Sequence, residues 1–125
     1  YDDPEAIAIL RSRAQQLNVP QRPHTDEEIL ERCLYPLLNE GIRILEEGVA
    51  LRASDIDVVW TAGYGFPRYR GGPMFHAGTI GLTKLLDGIL KYRELFGPMH
   101  WEPAPLLAKL AGEGKTLDQW ERERR

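Results

Sequence analysis

A short loop carries the residues with the clearest capacity for chemistry. Residues 63–73 read GYGFPRYRGGP, and Arg68 and Arg70 stand there among aromatic side chains. A guanidinium group binds phosphate or carboxylate through paired hydrogen bonds, so one hypothesis is an anionic ligand such as the phosphates of a nucleotide, with His76 close by. The interpretation we favour is that both arginines stack on the aromatic rings or pair with carboxylates of an adjoining domain.

The glycines of the same loop predict backbone shape rather than cofactor binding. Gly71 and Gly72 precede Pro73, and we expect them to allow a tight turn. The G-x-G that opens the loop lacks the third glycine of a dinucleotide fingerprint, because Arg68 stands there. It also follows a helical pattern instead of a strand, so we expect no dinucleotide site.

Glu40 is the acidic residue that the sequence most favours for acid–base chemistry or a structural ion pair. Helical spacing places it on the side of Cys33, Leu37 and Ile44, which predicts partial burial. A buried carboxylate needs a partner or a raised pKa, so it could do acid–base work. The interpretation we favour is that Glu40 binds backbone N–H groups or an arginine of a neighbouring segment.

The residues that commonly bind metals or act as nucleophiles do not form a pattern. His24, His76 and His100 are widely spaced and have no HxxxH or cysteine partner, so we expect no metal site. Cys33 falls on an apolar helical stripe with no histidine near it in the sequence. It is predicted to be a core cysteine rather than a nucleophile.

Composition excludes several classes of function. The formal net charge of -3 argues against a general nucleic-acid-binding protein, which needs a basic face. No apolar run approaches the roughly 20 residues of a membrane-spanning helix. The single cysteine forbids an internal disulfide and suits a reducing compartment. Because the sequence begins at Tyr1 rather than methionine, we expect a piece of a longer protein.

Helical periodicity recurs along the chain, and no segment alternates with the period of a strand. The sequence therefore predicts an all-α fold, a compact bundle of four or five helices around one core. The predicted helices cover about residues 4–17, 25–48, 54–63, 79–96 and 105–110. We divide the chain into a connector helix and linker (1–24), a helical domain (25–112) and a charged tail (113–125) that we expect to be mobile, with Trp120 able to dock.

Capping patterns mark two helix starts. Thr25 with Glu28, and Ser54 with Asp57, each have the spacing of a capping box. The long helix after Thr25 has a predicted buried stripe and an opposite polar face that includes Asn39. The stripe consists of Leu30, Cys33, Leu34, Leu37, Leu38, Gly41 and Leu45.

With these motifs laid out, the chain resembles the C-terminal helical domain of the 3-hydroxyacyl-CoA dehydrogenases. It is most similar to the last copy of that domain in multifunctional fatty-acid β-oxidation enzymes. The runs NEGIRILEEG, DIDVVW and GYGFPRYRGGPMFHA carry the resemblance, which covers about residues 25–110. The first eighteen residues resemble the helical connector between the two copies.

The resemblance implies that the parent enzyme's catalytic histidine and glutamate lie in a Rossmann domain that this chain lacks. In the catalytic copy of the helical domain, an Asn-Arg pair opens the long helix. Glu31-Arg32 occupies that place here, so the arginine is kept and the asparagine is replaced. We therefore carry over no catalytic residue and expect no cofactor on this chain, with NAD used by the parent.

The resulting hypothesis is a non-catalytic module of an NAD-dependent 3-hydroxyacyl-CoA dehydrogenase that also has enoyl-CoA hydratase activity. Its expected partners are the preceding Rossmann domain, the preceding helical copy and the hydratase domain. The resemblance implies that the two helical copies mimic the dimer of single-function relatives. The alternatives are a free-standing interaction protein that forms a homodimer, and an acyl-CoA-binding module using Arg68, Arg70 and His76. Because the sequence ends in ERERR rather than a peroxisomal signal, we expect a cytoplasmic parent.

Overall fold

A computed structural model describes residues 3–124, and that part of the chain contains helices and no strand. The all-α prediction is confirmed, but the count of four or five helices is too low. Residues 3–124 form seven α-helices and one 3-10 turn, at Arg68–Arg70. The α-helices are α1 (Pro4–Gln16), α2 (Asp26–Glu46), α3 (Ala53–Gly63), α4 (Pro73–Ile80), α5 (Leu82–Phe96), α6 (Pro105–Glu113) and α7 (Leu117–Glu123).

Pro73 and Gly81 explain why residues 73–96 form two helices where the sequence predicts one helix over 79–96. Pro73 starts α4 at a position where its missing N–H costs nothing, and Gly81 ends it with a φ of 91°. A residue in that left-handed region cannot continue a helix, so α5 starts afresh at Leu82. The chain therefore turns between α4 and α5, and both helices pack on α2.

The core lies between α2, α4, α5 and α6. Its fully buried side chains include Leu38, Ile42, Leu45, Met74, Leu85, Ile89, Tyr92, Leu107 and Leu110. Gly41 lets α4 approach α2 closely, because a Cβ there would collide with the end of Met74. Gly88 does the same for α5, where a Cβ would collide with the ring of Tyr35.

The buried face of α2 is only partly the predicted one, since Leu38, Gly41 and Leu45 of the predicted stripe are buried and the rest of the stripe is not. Asn39, expected on the polar side, is 5% exposed, whereas Cys33 is exposed and Leu30 is 54% exposed. The prediction of a core cysteine is therefore wrong. Glu40, expected to be partly buried, is exposed and lies 3.6 Å from the guanidinium of Arg43. Apolar residues occupy much of the circumference of this helix, so contacts with the other helices determine that the face centred on Leu38 is buried.

Asn39 joins α2 to the segment before α6. Its Nδ2 donates to the carbonyl oxygen of Glu102 over 2.8 Å, and its Oδ1 accepts from the N–H of Ala104 over 2.8 Å. Arg43 also donates to the Glu102 oxygen, over 3.0 Å. A buried amide thus satisfies two backbone groups that the turn into α6 leaves unpaired.

Both predicted capping boxes are incomplete. Thr25 accepts from the N–H of Glu28 as expected, but the Glu28 carboxylate binds Arg22 and His24 of the linker instead of returning to Thr25. Those hydrogen bonds, from Arg22 above all, hold the pKa of Glu28 at about 2. The Ser54 box does not form, because α3 starts at Ala53 and has no side-chain cap from its own N-cap residue.

The segment expected to be a mobile tail forms helix α7. Thr116 and Gln119 make a complete capping box at its start. Leu117 is buried, and Trp120 packs against the core as expected. Glu121 accepts a hydrogen bond of 2.5 Å from the N–H of Ala53, so α7 caps the start of α3. Tertiary contacts therefore hold a helix of only seven residues.

Candidate functional site

Two of the predicted site residues, Arg70 and His76, meet at a groove of about 310 Å³. The groove runs between the N-terminal half of α2, the 3-10 turn, α4 and the start of α5. Its lining residues are Glu27, Leu30, Glu31, Leu34, Tyr35, Arg70, His76, Ile80 and Lys84. The four helical and turn segments bring together residues 57 positions apart, from Glu27 to Lys84.

Charges of opposite sign face one another across this groove. Glu27 and Glu31 lie on the α2 wall, and Arg70 and Lys84 lie on the other. Burial lowers the pKa of His76, and the nearby positive charge of Arg70 lowers it further. The imidazole is therefore neutral at neutral pH, and the two carboxylates oppose the two cations. An acidic ligand would gain little net attraction from this balance.

The arrangement does not form a catalytic constellation. The ring of His76 lies 6.3 Å from the ring of Phe66, and in the described part of the chain no side chain hydrogen-bonds to the imidazole. General acid–base or nucleophilic catalysis needs a partner within hydrogen-bonding reach. Within residues 3–124, no three His, Cys, Asp or Glu residues are placed to hold a metal ion.

The remaining predicted residues lie outside the groove. Arg68 is exposed and does not line it, and Glu40 is far along α2, paired with Arg43. Gly71 and Gly72 have φ values of 77° and 108°, so backbone shape accounts for both. The G-x-G segment follows helix α3 rather than a strand, and so it does not fit a dinucleotide.

Asp57 makes a different contact from the one that its spacing predicts. It was expected to cap its own helix, but its carboxylate accepts from the N–H groups of Met74 at 2.6 Å and Phe75 at 3.1 Å. It therefore caps α4 from α3. Burial raises the pKa of Asp57, and the two backbone hydrogen bonds oppose that rise. A Cβ on Gly72 would collide with Asp57, so this glycine permits the contact.

One feature of the sequence could have revealed this contact. Helix α4 starts with Pro73 and is preceded by Gly72, which has no side chain to cap the free N–H groups. Those groups need an acceptor from elsewhere. The adjoining helix α3 has two acids, of which Asp55 pairs with Arg52 and Asp57 supplies the acceptor.

Glu31 is the centre of a polar cluster that joins α2 to α5. Its Oε2 accepts from the hydroxyl of Tyr92 over 2.6 Å and from Nζ of Lys91 over 3.1 Å. Its Oε1 lies 3.3 Å from the hydroxyl of Tyr35. Burial raises the pKa of Glu31, but the hydrogen bonds from Tyr92 and Lys91 outweigh it, and the net pKa is lowered. Burial, together with this carboxylate, raises the pKa of Tyr35 to about 12.

Both oxygens of Glu31 are therefore engaged in joining α2 to α5. This is the position at which the family resemblance places a catalytic asparagine. Tyr92, which supplies the shortest hydrogen bond, is fully buried. A carboxylate fixed in this way stabilises the packing of α2 against α5.

Helix α2 also has a second apolar face that its own core does not cover. Ile29 and Leu30 are about half exposed, Cys33 is exposed, and Leu37 is half-buried. We call these four residues the α2 apolar face. Helix α1 likewise buries none of its side chains against the described residues. No helix within residues 3–124 combines the length and apolar character needed to cross a membrane.

Comparison with known proteins identifies the relatives of this chain. Residues 29–121 match the family model described as the 3-hydroxyacyl-CoA dehydrogenase C-terminal domain. The Peroxisomal bifunctional enzymes of Danio rerio and Homo sapiens are each 43% identical, over 94% and 95% of this chain. The Peroxisomal fatty acid beta-oxidation multifunctional protein of Arabidopsis thaliana is 36% identical over 94%. The chain spans about 17% of the length of each of these relatives.

These names contradict the expected cytoplasmic location, because the relatives are called peroxisomal. The expectation rested on the last residues of the sequence. A segment that spans about 17% of its relatives' length gives no basis for excluding a targeting signal.

Proposed function

The chain belongs to the family of 3-hydroxyacyl-CoA dehydrogenase C-terminal domains, and from that premise we propose that it supports the domain packing of a longer β-oxidation enzyme without itself carrying out catalysis. The relatives named as bifunctional and multifunctional enzymes support this proposal, since the chain matches nearly its whole length to a small part of each. The same relatives favour a peroxisomal parent.

The Glu31 cluster is the observation that carries the proposal. In the family pattern an asparagine at this position serves the active site. Here a carboxylate stands at that position and binds two tyrosine hydroxyls and Lys91. The change replaces a group that can contact substrate with one that ties α2 to α5.

We assign the chemistry to other domains of the parent. The parent would carry out two reactions. One is hydride transfer from the 3-hydroxyl carbon of a 3-hydroxyacyl-CoA to NAD, and the other is hydration of an enoyl-CoA. The residues present here do not fit NAD, because the glycine loop follows α3 and leads into a 3-10 turn.

We expect the α2 apolar face to be the surface on which another domain of the parent packs. Exposed leucine and isoleucine side chains that the domain's own core leaves uncovered are typical of a surface that another domain covers. The preceding helical copy is the occupant that we propose, with the Rossmann and hydratase domains as further neighbours. The acyl-CoA-binding alternative is not favoured, because Arg68 does not line the groove and two carboxylates do.

Two measurements test this function. Purified 125-residue chain is titrated with NAD by calorimetry and assayed with a 3-hydroxyacyl-CoA, and we expect neither heat nor turnover. The full-length parent is then treated with iodoacetamide, and alkylation of Cys33 is followed by peptide mass spectrometry. We expect slower alkylation in the parent than in the isolated chain, with Leu30→Glu restoring the fast rate and Leu90→Glu, on an exposed part of α5, leaving it slow.

Turnover by the isolated chain would refute the non-catalytic role. Equal alkylation of Cys33 in the parent and in the isolated chain would refute docking through α2. Since Cys33 is the only cysteine in the chain, its tryptic peptide reports on this face without interference from the rest of the module.

A further inference from the structure

The 3-10 turn and the start of α4 present an exposed patch of aromatic and basic side chains. We define the loop patch as Arg68, Tyr69, Arg70 and Phe75. Tyr69 is 83% exposed and Phe75 is 65% exposed, so neither ring contributes much to the core. The two arginines are also exposed. Tyrosine and arginine are enriched among the residues that dominate the binding energy of protein interfaces.

The members of the patch lie side by side. The guanidinium carbon of Arg70 lies 5.4 Å from the centre of the Tyr69 ring, and its Nε lies 3.4 Å from the Tyr69 hydroxyl. Phe75 lies against Gly71, where a Cβ would collide with its ring. Gly71 directly follows Arg70, so the second ring borders the second arginine.

The loop that carries the patch is held in one conformation. Gly65, Gly71 and Gly72 adopt positive φ values, and the N–H of Gly71 closes the 3-10 turn on the carbonyl of Arg68. Asp57 fixes the start of α4 through the N–H groups of Met74 and Phe75. A surface that is already ordered loses little conformational entropy when a partner binds.

Charge indicates what the partner carries. Neither Arg68 nor Arg70 forms an ion pair with a carboxylate in the part of the chain that the structure covers, whereas Arg22, Arg43, Arg52 and Arg93 each do. Arg68 and Arg70 stand on one turn beside the exposed rings of Tyr69 and Phe75, in a chain whose formal charge is -3. Carboxylates are the protein groups that match them best.

We infer that the loop patch is a second docking surface, which binds a carboxylate-bearing surface of another domain in the same parent chain. This inference rests on the proposed function and specifies one of its contacts. The chain spans about 17% of its relatives, so most of such a parent lies outside these residues and is available to cover the patch. In this arrangement Tyr69 and Phe75 are buried, and Arg68 and Arg70 pair with the acids.

Side-chain footprinting of the full-length parent tests the inference. Hydroxyl-radical modification of Tyr69 is compared between the parent and the isolated 125-residue chain. We expect it to be roughly fivefold slower in the parent, because a ring that is 83% exposed loses most of that exposure in the core of an interface. Reversing both charges, Arg68→Glu with Arg70→Glu, restores the rate of the isolated chain. The control Lys109→Glu with Arg122→Glu makes the same change in net charge on exposed parts of α6 and α7 and leaves Tyr69 slow.

Equal modification of Tyr69 in the parent and the isolated chain would overturn the inference, and so would protection that survives the double reversal. A Tyr69 rate in the isolated chain that falls with protein concentration would assign the patch to a second copy and would also overturn it. Alkylation of Cys33 is measured in the same samples. Protection of Cys33 without protection of Tyr69 leaves the proposed function standing and rejects the loop patch alone, whereas protection of neither rejects both.

Discussion

Replacing Glu31 with alanine removes the acceptor that joins α2 to α5. The hydroxyl of Tyr92 then loses its 2.6 Å acceptor inside the core, and Lys91 loses its ion pair. A hydrogen bond to a charged group contributes about 1.5–3 kcal/mol, and an ion pair with an exposed lysine adds about 0–1 kcal/mol. We therefore expect Glu31→Ala to lower the free energy of unfolding by roughly 2–3 kcal/mol.

Urea unfolding of the purified chain, followed by far-UV circular dichroism, measures this change. With an m value of about 1.5 kcal/mol/M, the unfolding midpoint falls by roughly 1.5 M. Glu27→Ala is the matched control, since Glu27 lies one turn earlier on α2 and is exposed. Its loss costs below about 1 kcal/mol, the size of a helix-dipole interaction.

Acid titration provides a second measurement on the same variants. The pKa of Glu31 is lower in the folded chain than its ordinary value of 4.5, so the unfolded state binds more protons as the pH falls. The stabilisation by Glu31 is therefore present above that ordinary value and is lost at lower pH. The difference in stability between the wild type and Glu31→Ala should shrink as the pH falls below 4.5. A Glu31→Ala variant as stable as Glu27→Ala at neutral pH would refute the structural role of this carboxylate.

Two further substitutions test the packing of α2. Asn39→Ala leaves the N–H of Ala104 without a buried acceptor and should lower the free energy of unfolding in urea by about 2–3 kcal/mol. The control Glu40→Ala should change it by less than about 0.5 kcal/mol. Equal losses for the two variants would contradict the assignment of Asn39 to the buried face of α2 and Glu40 to the exposed face. Gly88→Ala pushes a Cβ into the ring of Tyr35 and should lower the melting temperature, while Gly112→Ala has open space in α6 and should leave it unchanged or raise it. A Gly88→Ala variant that melts like Gly112→Ala would show that α5 does not approach α2 so closely.

The sequence predicts much of the helical layout because the relevant signals are local. Pro4 and Thr25 mark helix starts that the structure reproduces at the same places. The glycine loop is also predicted, since several positive φ values need glycine. The family motifs then identify the domain, because long runs of matching residues carry information that no single side chain does.

The predictions that fail depend on contacts between distant segments. Periodicity shows that α2 is amphipathic, but only α4, α5 and α6 decide that Leu38 rather than Leu30 faces the core. Asp57 has the spacing of a local cap and instead caps α4. Residues 117–123 are too short and too charged to predict a helix, and Glu121 holds them against α3.

The predicted site is reproduced only in part, for the same reason. Arg70 and His76 meet at the groove because the 3-10 turn contacts α4 and α4 packs on α2, and no sequence motif predicts these tertiary contacts. Arg68, two residues away, is exposed and does not line the groove, although it shares the loop patch with Arg70.

The central claim is that this module stabilises the enzyme and does not take part in the reaction. The most direct test is the dehydrogenase kinetics of the full-length parent with Glu31→Ala, measured together with thermal unfolding. We expect kcat to stay within about twofold of the wild type at a temperature where both proteins are folded, while unfolding shifts to lower temperature by a few degrees for each kcal/mol lost. A fall in kcat of about a hundredfold or more with unchanged unfolding would place Glu31 in the catalytic machinery and contradict the account.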